Sequence, residues 1–140
     1  MKLAMLGTGK IVQDALLALR EVPEITVDSV FARPQSREKA ERLAAEWQIP
    51  HVYTDMQALL ASDCDTVYVG LANHVHVPYA EMALRGGHDV IMEKPFAPCG
   101  SDVTAMRALA KKQGRLIIEA VTPFFLPNFA VIREALPKLG

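Results

Sequence analysis

The stretch Val90-Ile91-Met92-Glu93-Lys94-Pro95-Phe96-Ala97 sets a carboxylate, an amine and a proline at the end of an apolar run. An ammonium at Lys94 suits an oxygen that gains negative charge. A desolvated lysine has its acidity drawn toward working pH, which suits proton transfer at an alcohol or carbonyl. Pro95 removes a backbone donor and narrows the chain's freedom beside Lys94. The competing reading is a surface Glu93–Lys94 ion pair, which contributes little.

A second chemical stretch lies near the start, Gly7-Thr8-Gly9-Lys10-Ile11-Val12. Two glycines permit a tight turn and let backbone amides approach a pyrophosphate. Lys10 and Ile11 then open a helix whose N-terminus favours the negative charge. Val12 stands where glycine or alanine would allow close helix–strand packing, and a purely structural turn is the alternative.

The third is Val30-Phe31-Ala32-Arg33-Pro34-Gln35-Ser36-Arg37. An NAD site places a carboxylate about 20 residues past the glycines to hold the ribose hydroxyls. Here small Ala32 is followed by Arg33, whose guanidinium can grip a 2′-phosphate, with Ser36 and Arg37 adding to it. The expected cofactor is NADP, with NAD as the alternative; a solvated loop arginine is the structural reading of Arg33.

These residues need a scaffold that brings distant strand ends together. Apolar runs at Leu3–Leu6, Ile25–Ala32, His51–Tyr53, Thr66–Leu71, Asp89–Met92 and Arg115–Val121 read as strands. Amphipathic helices are expected from Ile11 to Leu19, Ser36 to Trp47, Met56 to Ala61, Val77 to Arg85, Ser101 to Lys112 and Asn128 to Leu136. Gly86-Gly87 and Gly114 provide helix ends. Six strands alternating with helices predict an α/β fold, a doubly wound parallel sheet of the Rossmann type with helices on both faces.

The chain has 140 residues, 51% of them hydrophobic and 22% charged, enough for one domain with a real core. Its 15 basic and 16 acidic residues give a net charge of −1, which speaks against nucleic acid or an anionic membrane as partner. Cys64 and Cys99 show no metal or disulfide spacing, and no run is long enough to cross a membrane. The expected setting is the cytoplasm, with no metal site.

In order, Gly7-Thr8-Gly9, then Gly70-Leu71-Ala72-Asn73-His74-Val75-His76-Val77-Pro78, Glu93-Lys94-Pro95 and Glu119-Ala120 carry a more specific signal. The set resembles the N-terminal domain of the glucose–fructose oxidoreductase and inositol dehydrogenase family across essentially the whole chain. The resemblance implies hydride transfer between a nicotinamide and a carbinol carbon of a sugar, cyclitol or diol. It implies Lys94 at the reacting oxygen, with Glu93 and Pro95 shaping the cofactor side. Asn73 and His76 would line the groove near the nicotinamide half, Leu71 would also contact the cofactor, and His74 would be an exposed loop residue.

The same resemblance divides the chain into a dinucleotide-binding domain, 1–126, and a last segment, 127–140, leading toward a substrate domain absent from this sequence. That missing domain would carry further catalytic residues and the surface of a homo-oligomer. Val12, and Ala72 where the family often has proline, depart from its pattern. A free-standing NADP-binding sensor or interaction module is the alternative.

Overall fold

The computed structural model describes residues 1–138. Six strands run β1 (Lys2–Leu6), β2 (Thr26–Phe31), β3 (His51–Tyr53), β4 (Thr66–Val69), β5 (Asp89–Met92) and β6 (Ile117–Glu119). The helices are α1 (Lys10–Leu19), α2 (Arg37–Trp47), α3 (Met56–Leu60), α4 (His76–Arg85), α5 (Gly100–Gln113) and α6 (Pro127–Ala135). All strand pairs are parallel, in the order β3-β2-β1-β4-β5-β6. This is the doubly wound Rossmann arrangement expected from the alternating runs, with the order reversing between β1 and β4.

The period of two along each strand sorts side chains onto two faces. Ala4, Leu6, Val67, Val69, Val90 and Met92 pack against α3, α4 and α5. Leu3, Met5, Val30 and Tyr68 pack against α1 and α2 through Val12, Leu16, Ala40 and Leu43. Both faces of β1 and β4 are therefore buried, which is why these strands read as unbroken apolar runs.

Element boundaries moved where the backbone had other work. β6 is shorter than the run Arg115–Val121. The Arg115 N–H closes α5 on the Ala110 carbonyl, the Leu116 N–H donates to Asp89 Oδ1, and the Val121 N–H already turns back to Glu119. β4 stops at Val69 because the chain must turn at Gly70. Gly87 and Gly114 have φ of 86° and 64°, the left-handed conformation that suits glycine after a helix.

The C-terminal part is the least covered. Leu116, Ile118, Phe124, Phe125, Leu126, Val131, Ile132 and Leu136 are exposed, and α6 buries no side chain among the described residues. Leu139 and Gly140, the end of the expected 127–140 segment, lie outside them.

At the opposite end of the sheet, His88 is buried between two backbone carbonyls and a thiol. Nδ1 lies 3.0 Å from the Cys64 carbonyl and 3.6 Å from Cys64 Sγ, and Nε2 lies 3.1 Å from the Leu60 carbonyl. The Cys64 sulfur, with help from the two carbonyls and against the cost of burial, holds the imidazole above its ordinary value. The folded state therefore binds this proton more tightly than the unfolded chain does. The stabilisation is fully present below about pH 6.5, the ordinary histidine value, and is lost as pH rises through the higher folded value. Melting temperature should thus fall on alkalinisation through that window. His88→Gln should flatten the dependence; an identical slope in the variant would remove the assignment.

Candidate functional site

The strand ends converge on the carboxyl edge of the sheet, beside the point where the strand order reverses. Gly7 follows β1 with φ of 113°, a conformation that L side chains rarely adopt. A Cβ added there would lie 2.6 Å from the Gly70 carbonyl oxygen, so the backbones after β1 and β4 approach too closely for any side chain. Gly9 is different. Its φ of −79° and ψ of 178° suit any residue, and a Cβ would meet no atom within 4 Å. Its missing side chain leaves open space in front of the helix.

α1 then begins without a side-chain cap. The first bonded amides, Val12 and Gln13, turn to the Gly9 carbonyl, leaving Lys10 and Ile11 as uncapped donors at the positive end of the helix. The groove in front of them has a volume of about 350 Å³ and is lined by Gly7, Thr8, Gly9, Ile11, Ala32, Arg33, Ser36, Gly70, Leu71 and Ala72. An uncapped helix end, glycine backbone and neighbouring guanidinium form a donor set for a pyrophosphate and its adenosine half.

Val12 is accommodated by Gly70, a partner that the glycine motif itself does not reveal. Val12 is fully buried, and a Cβ at Gly70 would lie 2.6 Å from its Cγ2 and 2.8 Å from Tyr68 Cε1. The space usually provided by a small residue on the helix is provided here by one just after β4. Gly70→Ala is expected to destabilise the fold by roughly 1–3 kcal/mol, the range for overpacking a tight core. Urea midpoints should show it, and adding Val12→Ala should restore part of the loss by coupling. Strict additivity would contradict this packing account.

Several expected ligands of the groove face elsewhere. Lys10 pairs with Asp14, and Arg37 Nε donates to Glu41 Oε1 at 2.7 Å, both one helical turn away. Asn73 opens a short 3-10 turn, Asn73–Val75, beyond the groove wall. Arg33 is exposed and lines both the groove and a side cavity of about 70 Å³, shared with Leu71, Ala72, His74, Val75 and Tyr79. Exposed His74 therefore sits near Arg33, a neighbourhood that the loop reading did not contain.

His76 lies beneath the surface. As the first residue of α4 its side chain is fully buried, with Nε2 3.0 Å from the Leu71 carbonyl and Nδ1 3.0 Å from the Pro95 carbonyl. It ties the groove wall to the loop after β5 instead of facing a ligand. The expectation of a groove-lining imidazole is corrected by the direction in which the helix starts.

Glu93 and Lys94 do not form the surface ion pair. Glu93 is buried, its Oε1 accepting from the Tyr68 hydroxyl at 2.6 Å and its Oε2 from the Lys94 backbone N–H at 3.1 Å. Burial, reinforced by the carboxylate, pushes the Tyr68 phenol well above its usual value and keeps it a donor. The Lys94 side chain stays exposed and enters none of the ion pairs found among the described residues. Lys94–Pro95 is a cis peptide. β5 is two strands from β1, so Lys94 stands roughly 10 Å along the sheet edge from the glycine turn.

Residues 1–121 match the profile of the oxidoreductase family with an NAD-binding Rossmann fold. The chain belongs to that family. Among curated relatives of this oxidoreductase domain, a scyllo-inositol 2-dehydrogenase (NADP+) of Bacillus subtilis is 33% identical over 140 residues, covering 99% of the chain and 42% of that protein. A trans-1,2-dihydrobenzene-1,2-diol dehydrogenase of Xenopus laevis is 32% identical over 138 residues, covering 98% and 42%. The crystal structure of a 3-ketoreductase from Actinomadura kijaniata, in complex with NADP and TDP-benzene, superposes with a TM-score of 0.90 at 26% identity, covering 99% and 42%. The NAD(P)-binding oxidoreductase domain thus spans less than half the length of the relatives it matches.

Proposed function

We propose that the chain is the cofactor domain of an NADP-dependent dehydrogenase or reductase acting on a sugar, cyclitol or diol. Lys94 is the residue that meets the reacting oxygen. The observation that carries this reading is the separation of Glu93 from Lys94: the carboxylate is buried and engaged, and the exposed Lys94 side chain enters none of the ion pairs among the described residues. The curated relatives named above act on an inositol and a diol, which supports the substrate class.

Gly7, Thr8, Gly9 and the uncapped amides of α1 would hold the pyrophosphate, and Arg33, with Ser36 beside it, the 2′-phosphate of the adenosine half. The nicotinamide ring, when bound, supplies or accepts the hydride. Lys94 contributes the complementary proton and the charge that stabilises the oxygen. Residues 1–126 form the dinucleotide-binding unit, and residues from 127 onward lead toward a substrate domain. The exposed apolar side chains around β6 and α6 support that division. So does an open apolar groove of about 340 Å³ between α1 and β5.

Titrating the 140-residue chain with NADPH and NADH, followed by nicotinamide fluorescence, tests the reading. NADPH should saturate at the lower concentration, and failure of both to bind at millimolar concentration would remove it. A free-standing NADP module is the second reading, favoured by the self-contained core of this chain. Joining the chain to a relative's second domain separates the two: turnover of a polyol supports the enzyme, and binding without turnover supports the module.

A further inference from the structure

The loop that carries Lys94 runs from Glu93 to Cys99 without regular secondary structure, yet its backbone is held at successive groups. Pro95 has no N–H, so the tripeptide Lys94-Pro95-Phe96 has two backbone donors, and each meets a carboxylate. The Lys94 N–H donates to Glu93 Oε2, and the Phe96 N–H donates to Glu119 Oε1 at 2.8 Å. The carbonyl between them, of Pro95, lies 3.0 Å from Nδ1 of buried His76.

These contacts come from both sides of the sheet. Glu93 shares the α1 face with Tyr68. Glu119 is in register with Met92, whose side chain packs on the α4–α5 face, and Phe96 packs against that same core. Glu119 itself is exposed, at the end of an edge strand, and reaches 23 residues back along the chain to the Phe96 amide. Surface glutamates are ordinarily solvated; here one oxygen is spent on a loop N–H two residues beyond Lys94.

We propose that Glu119 is a positioning residue for Lys94: with His76 on the intervening carbonyl, its carboxylate fixes the turn that aims the ammonium at the substrate oxygen. His76 extends the same fixture to Leu71 in the cofactor groove, so the groove wall and the Lys94 turn share one buried imidazole. The inference rests on the reading of Lys94 as the residue at the reacting oxygen.

The test uses the 140-residue chain, isotopically labelled, and compares Glu119→Ala with Glu119→Gln. Glutamine keeps an acceptor oxygen; alanine does not. In Glu119→Ala the Phe96 amide should exchange with solvent about tenfold faster or more, the factor expected for a lost charge-assisted hydrogen bond. The Ala120 amide, bonded to the Met92 carbonyl in the β5–β6 ladder, should be unchanged. Glu119→Gln should restore most of the protection.

The second readout is the Lys94 side-chain resonance on adding NADP+. It should shift in the parent and in Glu119→Gln and lose that response in Glu119→Ala, while NADP+ affinity stays within about threefold, because Glu119 does not line the groove. Unchanged Phe96 exchange in Glu119→Ala overturns the proposal. So does equal acceleration across β5 and β6, which marks Glu119 as a general strand residue. Absence of NADPH binding by the parent chain counts against the dinucleotide reading, and the exchange comparison still decides what Glu119 holds.

Discussion

Lys94→Ala, in an enzyme that carries this domain joined to its substrate domain, is expected to lower turnover by about 10²–10⁴-fold, the usual contribution of a positioned acid–base group. NADPH affinity should change by no more than about threefold, because Lys94 is not among the residues lining the dinucleotide groove. Lys94→Arg should fail to rescue. A guanidinium keeps its proton at any working pH and presents its charge as a planar fork, whereas an ammonium is a compact donor. Steady-state kinetics with direct cofactor titration separate the effects. A Lys94→Ala enzyme with near-normal turnover would return Lys94 to the surface, and one that merely lost cofactor affinity would make it a groove residue.

How far the sequence carried this result depends on the distance over which each residue acts. The six strands were readable because their cores are nearly continuous apolar runs. The glycine turn was readable because a strand and a helix flank it within a few residues. The strand ends could then be placed on one edge by topology alone. What the sequence leaves dark is the direction of a side chain and the identity of a distant partner. His76 occupies the expected position, but α4 starts so that its ring points inward to two carbonyls. Gly70 answers Val12 across 58 positions, a complementarity visible only once β1 and β4 are neighbours.

The ion pairs of Lys10 and Arg37 carry a different lesson. Their partners Asp14 and Glu41 stand four residues further along the same helices, so the pairing was available from spacing. Their motifs offer both cations to a phosphate, and the nearer carboxylates hold them instead. Glu119 shows the converse. Its place at a strand end is legible, but the loop amide it accepts from belongs to another element, and no local pattern announces that contact.

Arg33→Asp is expected to reverse the cofactor preference of the chain. Arg33 is exposed at the end of β2, and its side chain joins none of the ion pairs among the described residues, so the guanidinium is available to an incoming phosphate. Hydrogen bonds to charged groups contribute about 1.5–3 kcal/mol, so NADPH binding should weaken roughly 10–100-fold when the arginine is removed. The aspartate adds repulsion toward the 2′-phosphate and, at this strand end, an acceptor for the ribose hydroxyls of NADH. NADH affinity should therefore hold or rise while NADPH affinity falls. Arg37→Ala serves as the comparison: Arg37 already pairs with Glu41, and its loss should alter NADPH affinity by about threefold or less, within the range of a surface ion pair. Fluorescence titration of both cofactors against the three proteins decides the matter. An NADPH-to-NADH ratio unmoved by Arg33→Asp would show that the phosphate is read elsewhere on the groove rim. A larger effect at Arg37 would show that its pairing with Glu41 opens when the cofactor arrives.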